Sequence, residues 1–110
     1  MVKLSVEKSG VGQALVRIVG NLDMDTVPEA RKQLFRLLGA RGPSSLEVDF
    51  SSIASMDTSA VAMMVELLRI LSATGRRLRL TGLREDQQRL FSLARLNQAF
   101  GINHDTRESS

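Results

Sequence analysis

The sequence predicts an α/β domain in which one mixed sheet of four or five strands carries helices packed on it. Three observations lead there. Four segments, near residues 2–6, 14–19, 46–50 and 76–81, alternate apolar and polar residues with period two. Three others repeat apolar residues at helical spacing. The order is strand, strand, helix, strand, helix, strand, helix, and strands separated by single helices favour parallel pairing through right-handed crossovers. At 110 residues the chain fits one domain large enough to bury a core without disulfide staples.

Taken in order, Val2, Leu4 and Val6 alternate with Lys3, Ser5 and Glu7 as a first strand. Ser9-Gly10-Val11-Gly12 reads as a turn into a second strand over residues 14–19, the two forming a hairpin with a loop longer than the tight two-residue type. Gly20-Asn21-Leu22-Asp23 follows as a strand-to-helix connection, with Gly20 relaxing the backbone and Asp23 capping or solvating the turn.

Thr26-Val27-Pro28-Glu29 has the form of a capping box with proline in the first turn, so a helix should start there. Val27, Ala30, Leu34, Leu37 and Leu38 form its apolar stripe, and Gly39 with Gly42-Pro43 stops it. Leu46, Val48 and Phe50 make the buried side of the third strand. The polar turn Ser51-Ser52 and the short segment Ile53-Ala54-Ser55-Met56 then lead to Asp57-Thr58-Ser59. After these, Ala60, Met63, Met64, Leu67, Leu68 and Leu71 recur at helical spacing up to Gly75. This helix should begin at Asp57 or Thr58, where either side chain can accept from a free backbone amide.

Leu78 and Leu80 set a fourth strand, covered on one side only. A last amphipathic helix from residue 84 to about 97 should bury Leu90, Phe91, Ala94 and Leu93 and expose Glu85, Asp86, Gln87, Arg89 and Arg95. Phe100-Gly101-Ile102 is read as a short edge strand, and residues 103–110, lacking an apolar anchor, as a fraying polar tail.

Composition excludes several classes of function. With no cysteine there is no disulfide framework, thiolate chemistry or cysteine-based metal site, and the sole histidine, His104, stands in the polar tail with no base or nucleophile near it. No phosphate-cradling Gly-x-x-x-x-Gly-Lys-Ser/Thr loop or dinucleotide fingerprint occurs. The expectation is therefore no cofactor, no metal and no enzymatic activity. Fifteen basic against twelve acidic residues leave a formal charge of +3, a small arginine excess that points weakly to an acidic partner. Arg76, Arg77, Arg79, Arg84 and Arg89 are spread over a strand and a helix, and no tyrosine or tryptophan is present to stack on bases, which argues against nucleic-acid binding. The start lacks the apolar run of a signal peptide. Glu66 and Arg69 interrupt the most apolar helix well short of the roughly 20 residues needed to span a bilayer. The expected location is the cytoplasm, without membrane insertion.

On chemistry alone Asp57-Thr58-Ser59 is a cluster of N-cap residues. Its context adds more. A strand, a short turn, an Asp-Ser/Thr-Ser/Thr/Ala-Gly-like tetrapeptide and an apolar helix together resemble the STAS domain, the family of bacterial anti-sigma-factor antagonists and of the cytoplasmic tails of sulfate transporters. Here the tetrapeptide is Asp57-Thr58-Ser59-Ala60, with alanine in place of the usual glycine. Gly20-Asn21-Leu22-Asp23 is similar to the family's Gly-Glu-Leu-Asp stretch, departing from it at Asn21. The likeness runs from about residue 4 to 102, so residues 1–102 are assigned to the domain.

The resemblance implies that the hydroxyl after the aspartate, Thr58, is phosphorylated, with Ser59 the second choice. It also implies that a rim made of Asp23, Met56, Asp57, Thr58, Ser59 and Ala60 binds a serine/threonine-kinase anti-sigma factor, a phosphatase reversing the mark. Within the same family an alternative is a non-enzymatic STAS subunit of an Mla-type lipid-transport ABC system, bound to its ATPase. That group also places threonine after the aspartate, and residues 82–96, GLREDQQRLFSLARL, are similar to its closing helix.

Overall fold

A computed structural model of the chain describes residues 2–39 and 42–102; the expected polar tail and His104 lie outside the described residues. The elements are β1 (Val2–Gly10), β2 (Gln13–Leu22), α1 (Val27–Leu37), β3 (Ser45–Asp49), β4 (Ile53–Met56), α2 (Thr58–Ala73), β5 (Arg77–Thr81) and α3 (Glu85–Leu93). β1 and β2 form the antiparallel hairpin; β2 pairs β3, and β3 pairs β5, both parallel. The strand order is β1-β2-β3-β5, with β4 pairing the far end of β2. Mixed pairing and the alternation of strand and helix are as the sequence predicts.

The fifth strand is not where it was expected. Residues 53–56, read as a lead-in to the helix, form β4, which runs parallel to β2 with Asn21 opposite Ser55 and Leu22 opposite Met56. β2 accordingly extends three residues beyond the predicted end. At Gly20, whose φ of 107° suits only glycine, the register against β4 shifts and re-aims the strand.

Phe100–Ile102, expected as an edge strand, is a closed turn instead. The Gly101 and Ile102 amides donate to the carbonyls of Gln98 and Asn97, and Gly101 has a φ of 68°. Phe100 is buried by this turn.

One face of the sheet carries Ala14, Val16, Ile18, Leu46, Val48 and Leu80, and these join Leu34, Met64, Leu67, Leu71 and Phe91 of the helices in one apolar cluster. The other face is mostly polar, with Leu15 and Val19 among its charged residues. There Arg17 donates to Asp49 across the β2–β3 pair at 3.0 Å. Burial raises the Asp49 pKa, but the Ser51 amide and hydroxyl and the Arg17 guanidinium outweigh it and hold that carboxyl below its usual range.

Two helix ends differ from expectation. Thr26 does precede α1, yet it does not form a capping box: its hydroxyl donates to the carbonyl of Asn21 at 2.8 Å, and Glu29 accepts from Gln33. α3 stops at Leu93, short of residue 97, because Arg95 takes a left-handed φ of 60° and the amides of Arg95 and Leu96 donate back to Ser92 and Phe91. That closure leaves Leu93 75% exposed and Ala94 exposed, where burial was expected. Gln87, expected on the surface, is fully buried: its Oε1 accepts from the Arg84 amide at 2.8 Å and its Nε2 donates to the Phe50 carbonyl. Polar capacity is satisfied there, which is what permits the burial.

Arg84 ties α3 to β4. Its guanidinium donates to the carbonyls of Ile53 at 2.7 Å and Ala54 at 3.3 Å. Arg84→Met should destabilise the domain by about 1–2 kcal/mol in chemical denaturation, since it removes charge-assisted bonds to a strand of only four residues. Amide exchange should accelerate first in β4.

Candidate functional site

The parallel strands β2 and β4 end side by side at Leu22 and Met56, so the loop at residues 23–26 and the start of α2 leave the same rim of the sheet. Rims at the carboxyl ends of parallel strands are where α/β sheets hold their binding sites. The Asp57 amide donates to the Leu22 carbonyl, and the Met24 amide donates to Asp57 Oδ2 at 3.2 Å. The two loops are therefore fixed to each other through one carboxylate.

Asp57 is the N-cap of α2, with extended backbone (φ −126°, ψ −172°). Its Oδ1 accepts from the Ser59 amide at 2.9 Å and, through a short contact, from the Ser59 hydroxyl. The Ser59 hydroxyl, with further help from the amides of Ser59, Met24 and Ala60, holds the Asp57 pKa below the ordinary aspartate value against the opposing effect of desolvation.

A carboxyl whose pKa is lowered in the folded state stabilises above its unfolded pKa and loses that contribution as pH falls through the folded value. Asp57→Asn should thus be less stable than the parent near neutrality, and the gap should close on acidification below about pH 4. Parallel urea titrations at neutral and acid pH read the difference directly. Asp57→Ala, which also removes the cap acceptor, should lose about 1 kcal/mol at neutral pH.

Thr58 is the first residue of α2 and is exposed, and its hydroxyl has no hydrogen-bond partner among the described residues. The first amides of a helix lack intrahelical acceptors and sit at the positive end of the helix dipole. Asp57 takes the Ser59 amide, so the Thr58 side chain projects from a rigid, anion-tolerant corner. Ser59 is half-buried, with its hydroxyl already committed to Asp57. Of the two hydroxyls, the one on Thr58 is free.

The other predicted rim residues divide. Met56 is half-buried against the core. Asp23 is half-buried and accepts from the amides of Asp25 and Thr26 at 2.9 and 3.2 Å, so it builds the neighbouring loop. Ala60, expected to meet a partner, is fully buried, and its methyl packs in the core. Residues the sequence did not single out complete the surface. Met24 is 73% exposed although its backbone is pinned to Asp57, and its place in a turn rather than an apolar stripe hid it. A groove of about 450 Å³ also runs from Thr58 between α2 and α3.

No group of three or more potential metal ligands occurs among the described residues, and no helix there is long and apolar enough to cross a membrane. A five-stranded mixed sheet with helices on one face carries, at the outward start of α2, a Thr58 hydroxyl without a partner among the described residues. The chain belongs to the STAS family: the family model described as Mlab, STAS domain, matches residues 6–102.

An anti-sigma-B factor antagonist of Staphylococcus epidermidis is 28% identical over 91 residues, covering 83% of each chain. Among solved structures, the anti-sigma factor antagonist SpoIIAA in its unphosphorylated form superposes with a TM-score of 0.76 at 20% identity, over 87% of this chain and 84% of that one. The Bacillus cell fate determinant SpoIIAA in the phosphorylated form gives 0.71 at 20% identity, over 87% and 86%. These likenesses establish the fold.

Proposed function

We propose that this protein is an anti-sigma-factor antagonist that docks its Thr58 rim on a serine/threonine-kinase anti-sigma factor and is released when that kinase phosphorylates Thr58. One observation carries the reading: the exposed, unpartnered Thr58 hydroxyl at a capped helix start. Phosphate there adds nearly two negative charges. The helix terminus tolerates them, whereas an interface formed around a neutral hydroxyl beside the Asp57 carboxylate cannot desolvate them. The fold survives and the complex parts. Thr58 is thus a substrate of the partner, a phosphatase restores the binding form, and the protein itself catalyses nothing. Asp23, Met56, Asp57 and Ser59 frame the hydroxyl, and the whole cycle belongs in the cytoplasm.

The curated relative's role as an antagonist of an anti-sigma-B factor and the fold shared with SpoIIAA in both phosphorylation states support this reading. A second reading, the STAS subunit of an Mla-type lipid-transport ABC system, is favoured by the Mlab description of the matching family model. Under it Thr58 is a permanent contact with an ATPase. Affinity purification of the tagged protein from its own cells separates the two. The antagonist reading expects a serine/threonine kinase, lost when ATP is added and retained with Thr58→Ala. Recovery of an ABC ATPase with its permease and no kinase would overturn it.

A further inference from the structure

β1 stands at one end of the sheet, and its outer edge meets no other strand among the described residues. It runs nine residues, Val2–Gly10, where about five or six are usual, and an uncovered edge offers a row of backbone donors and acceptors to another chain. Beside it a groove of about 360 Å³ opens toward α1, bordered by Leu4, Val6, Glu29, Gln33, Arg36 and Leu37. Val6 is 49% exposed, although Val16, its neighbour on β2, is fully buried. The helix layer stops short of this edge.

The side chains along the edge complement themselves. Val2, Leu4 and Val6 lie on the helix side, and Lys3, Ser5 and Glu7 on the open side. Directly opposite residues of an antiparallel pair share a face and are either both hydrogen-bonded or both not, so a two-fold axis between two copies of β1 must pass beside a residue. Centred on Ser5, the register sets Lys3 opposite Glu7 of the second copy, Leu4 opposite Val6, and Ser5 opposite itself. Moving the centre to Leu4 or Val6 forfeits both charge pairs; moving it to Lys3 or Glu7 brings like charges face to face. Lys3 has no salt-bridge or hydrogen-bond partner among the described residues, and Glu7 has only a long contact with Arg17, at 3.9 Å. The pattern repeats on α1. Glu29, Gln33 and Arg36 border the groove on one stripe, acid at one end and base at the other, and the same axis turns the Glu29 end of one helix toward the Arg36 end of its copy.

We propose that two copies of this chain join through β1, antiparallel and centred on Ser5, into one sheet that continues across the dimer with the two α1 helices side by side on its covered face. Main-chain hydrogen bonds make the pairing, as in other strand additions. Leu4 and Val6 of each copy cover the open flank of the other's edge, and two Lys3–Glu7 pairs fix the register. A surface that complements itself is what a two-fold interface requires, and once both β1 edges are used association stops at two. Asp23, Met24, Asp57 and Thr58 do not border the groove, so the dimer carries two open rims, and the pairing stands whether or not Thr58 is phosphorylated.

Sedimentation equilibrium of the full-length protein tests this, with thermal melts confirming that each variant is folded. The parent should dimerise reversibly. Lys3→Glu and Glu7→Lys should each weaken the dimer about tenfold, because each sets two like-charged pairs across the axis. The two changes move the net charge in opposite directions, so weakening by both is a pairing effect and not one of overall charge. Combining them should return the affinity to within about threefold of the parent. The chain has no cysteine, so Ser5→Cys reports the axis: mild oxidation should cross-link it far faster than Ser52→Cys on an exposed turn, since facing Cα atoms about 4.5–5.5 Å apart lie within disulfide reach. A parent that stays monomeric up to about 1 mM would overturn the proposal. So would a dimer indifferent to the single charge reversals, a double variant no tighter than the singles, or cross-linking of Ser5→Cys no faster than that of Ser52→Cys.

Discussion

Thr58→Glu is expected to melt with the parent protein and to bind the kinase about a hundredfold more weakly, or beyond detection, because a carboxylate desolvated without a partner at an interface costs roughly 2–5 kcal/mol. The unchanged stability follows from position. Residue 58 is exposed at the first position of α2 and has no side-chain bond to lose, and a negative group near a helix start is tolerated or mildly favourable. Thr58→Ala should keep its affinity and refuse the phosphate. The pair of variants therefore separates fold from switch. Loss of both binding and stability in Thr58→Glu would mean that the side chain supports the fold, and retention of full affinity would place the docking surface elsewhere.

Phe91→Ala should be the most damaging single substitution to the fold, by about 3–5 kcal/mol. Phe91 is fully buried and meets two rings edge-on, Phe50 at 6.3 Å and Phe100 at 5.2 Å between centroids. Phe50 closes β3, and Phe100 lies in the turn after α3, so one ring joins the sheet, the helix and the final turn. Each such pair contributes about 0.5–1.5 kcal/mol beyond simple burial. In a domain of this size the loss should lower the melting temperature by more than about ten degrees. Phe91→Leu, which keeps most of the bulk, should recover much of the loss. A loss under about 1 kcal/mol would show that α3 is held by other contacts.

The order of elements was legible because the alternating and helical periods are strong and separated by glycine, proline and polar turns. The start of α2 was legible for a local reason: Asp57-Thr58-Ser59 before an apolar stripe carries its own capping chemistry. What escaped depends on distant partners. β4 has four residues, and its one fully buried side chain, Ile53, sets no alternation; pairing with the far end of β2 makes it a strand. Gln87 is buried because the Arg84 amide and the Phe50 carbonyl satisfy it, and nothing in its immediate neighbours announces that. The end of α3 is set by a left-handed arginine at position 95, where sequence signals lead one to look for glycine. At the site, Thr58 and Asp57 were readable, whereas the burial of Ala60 and the pinning of Met24 to Asp57 emerge only once α2 and the loop at residues 23–26 share a rim.

Mapping the phosphate addresses the switch itself. The purified protein is incubated with the co-purifying kinase and ATP, and its peptides are sequenced by mass spectrometry while the mixture is resolved by gel filtration. One phosphate on Thr58, with the modified protein eluting apart from the kinase and the unmodified protein eluting with it, is the expected result. A phosphate on Ser59, or a complex that persists after Thr58 is fully modified, would contradict it.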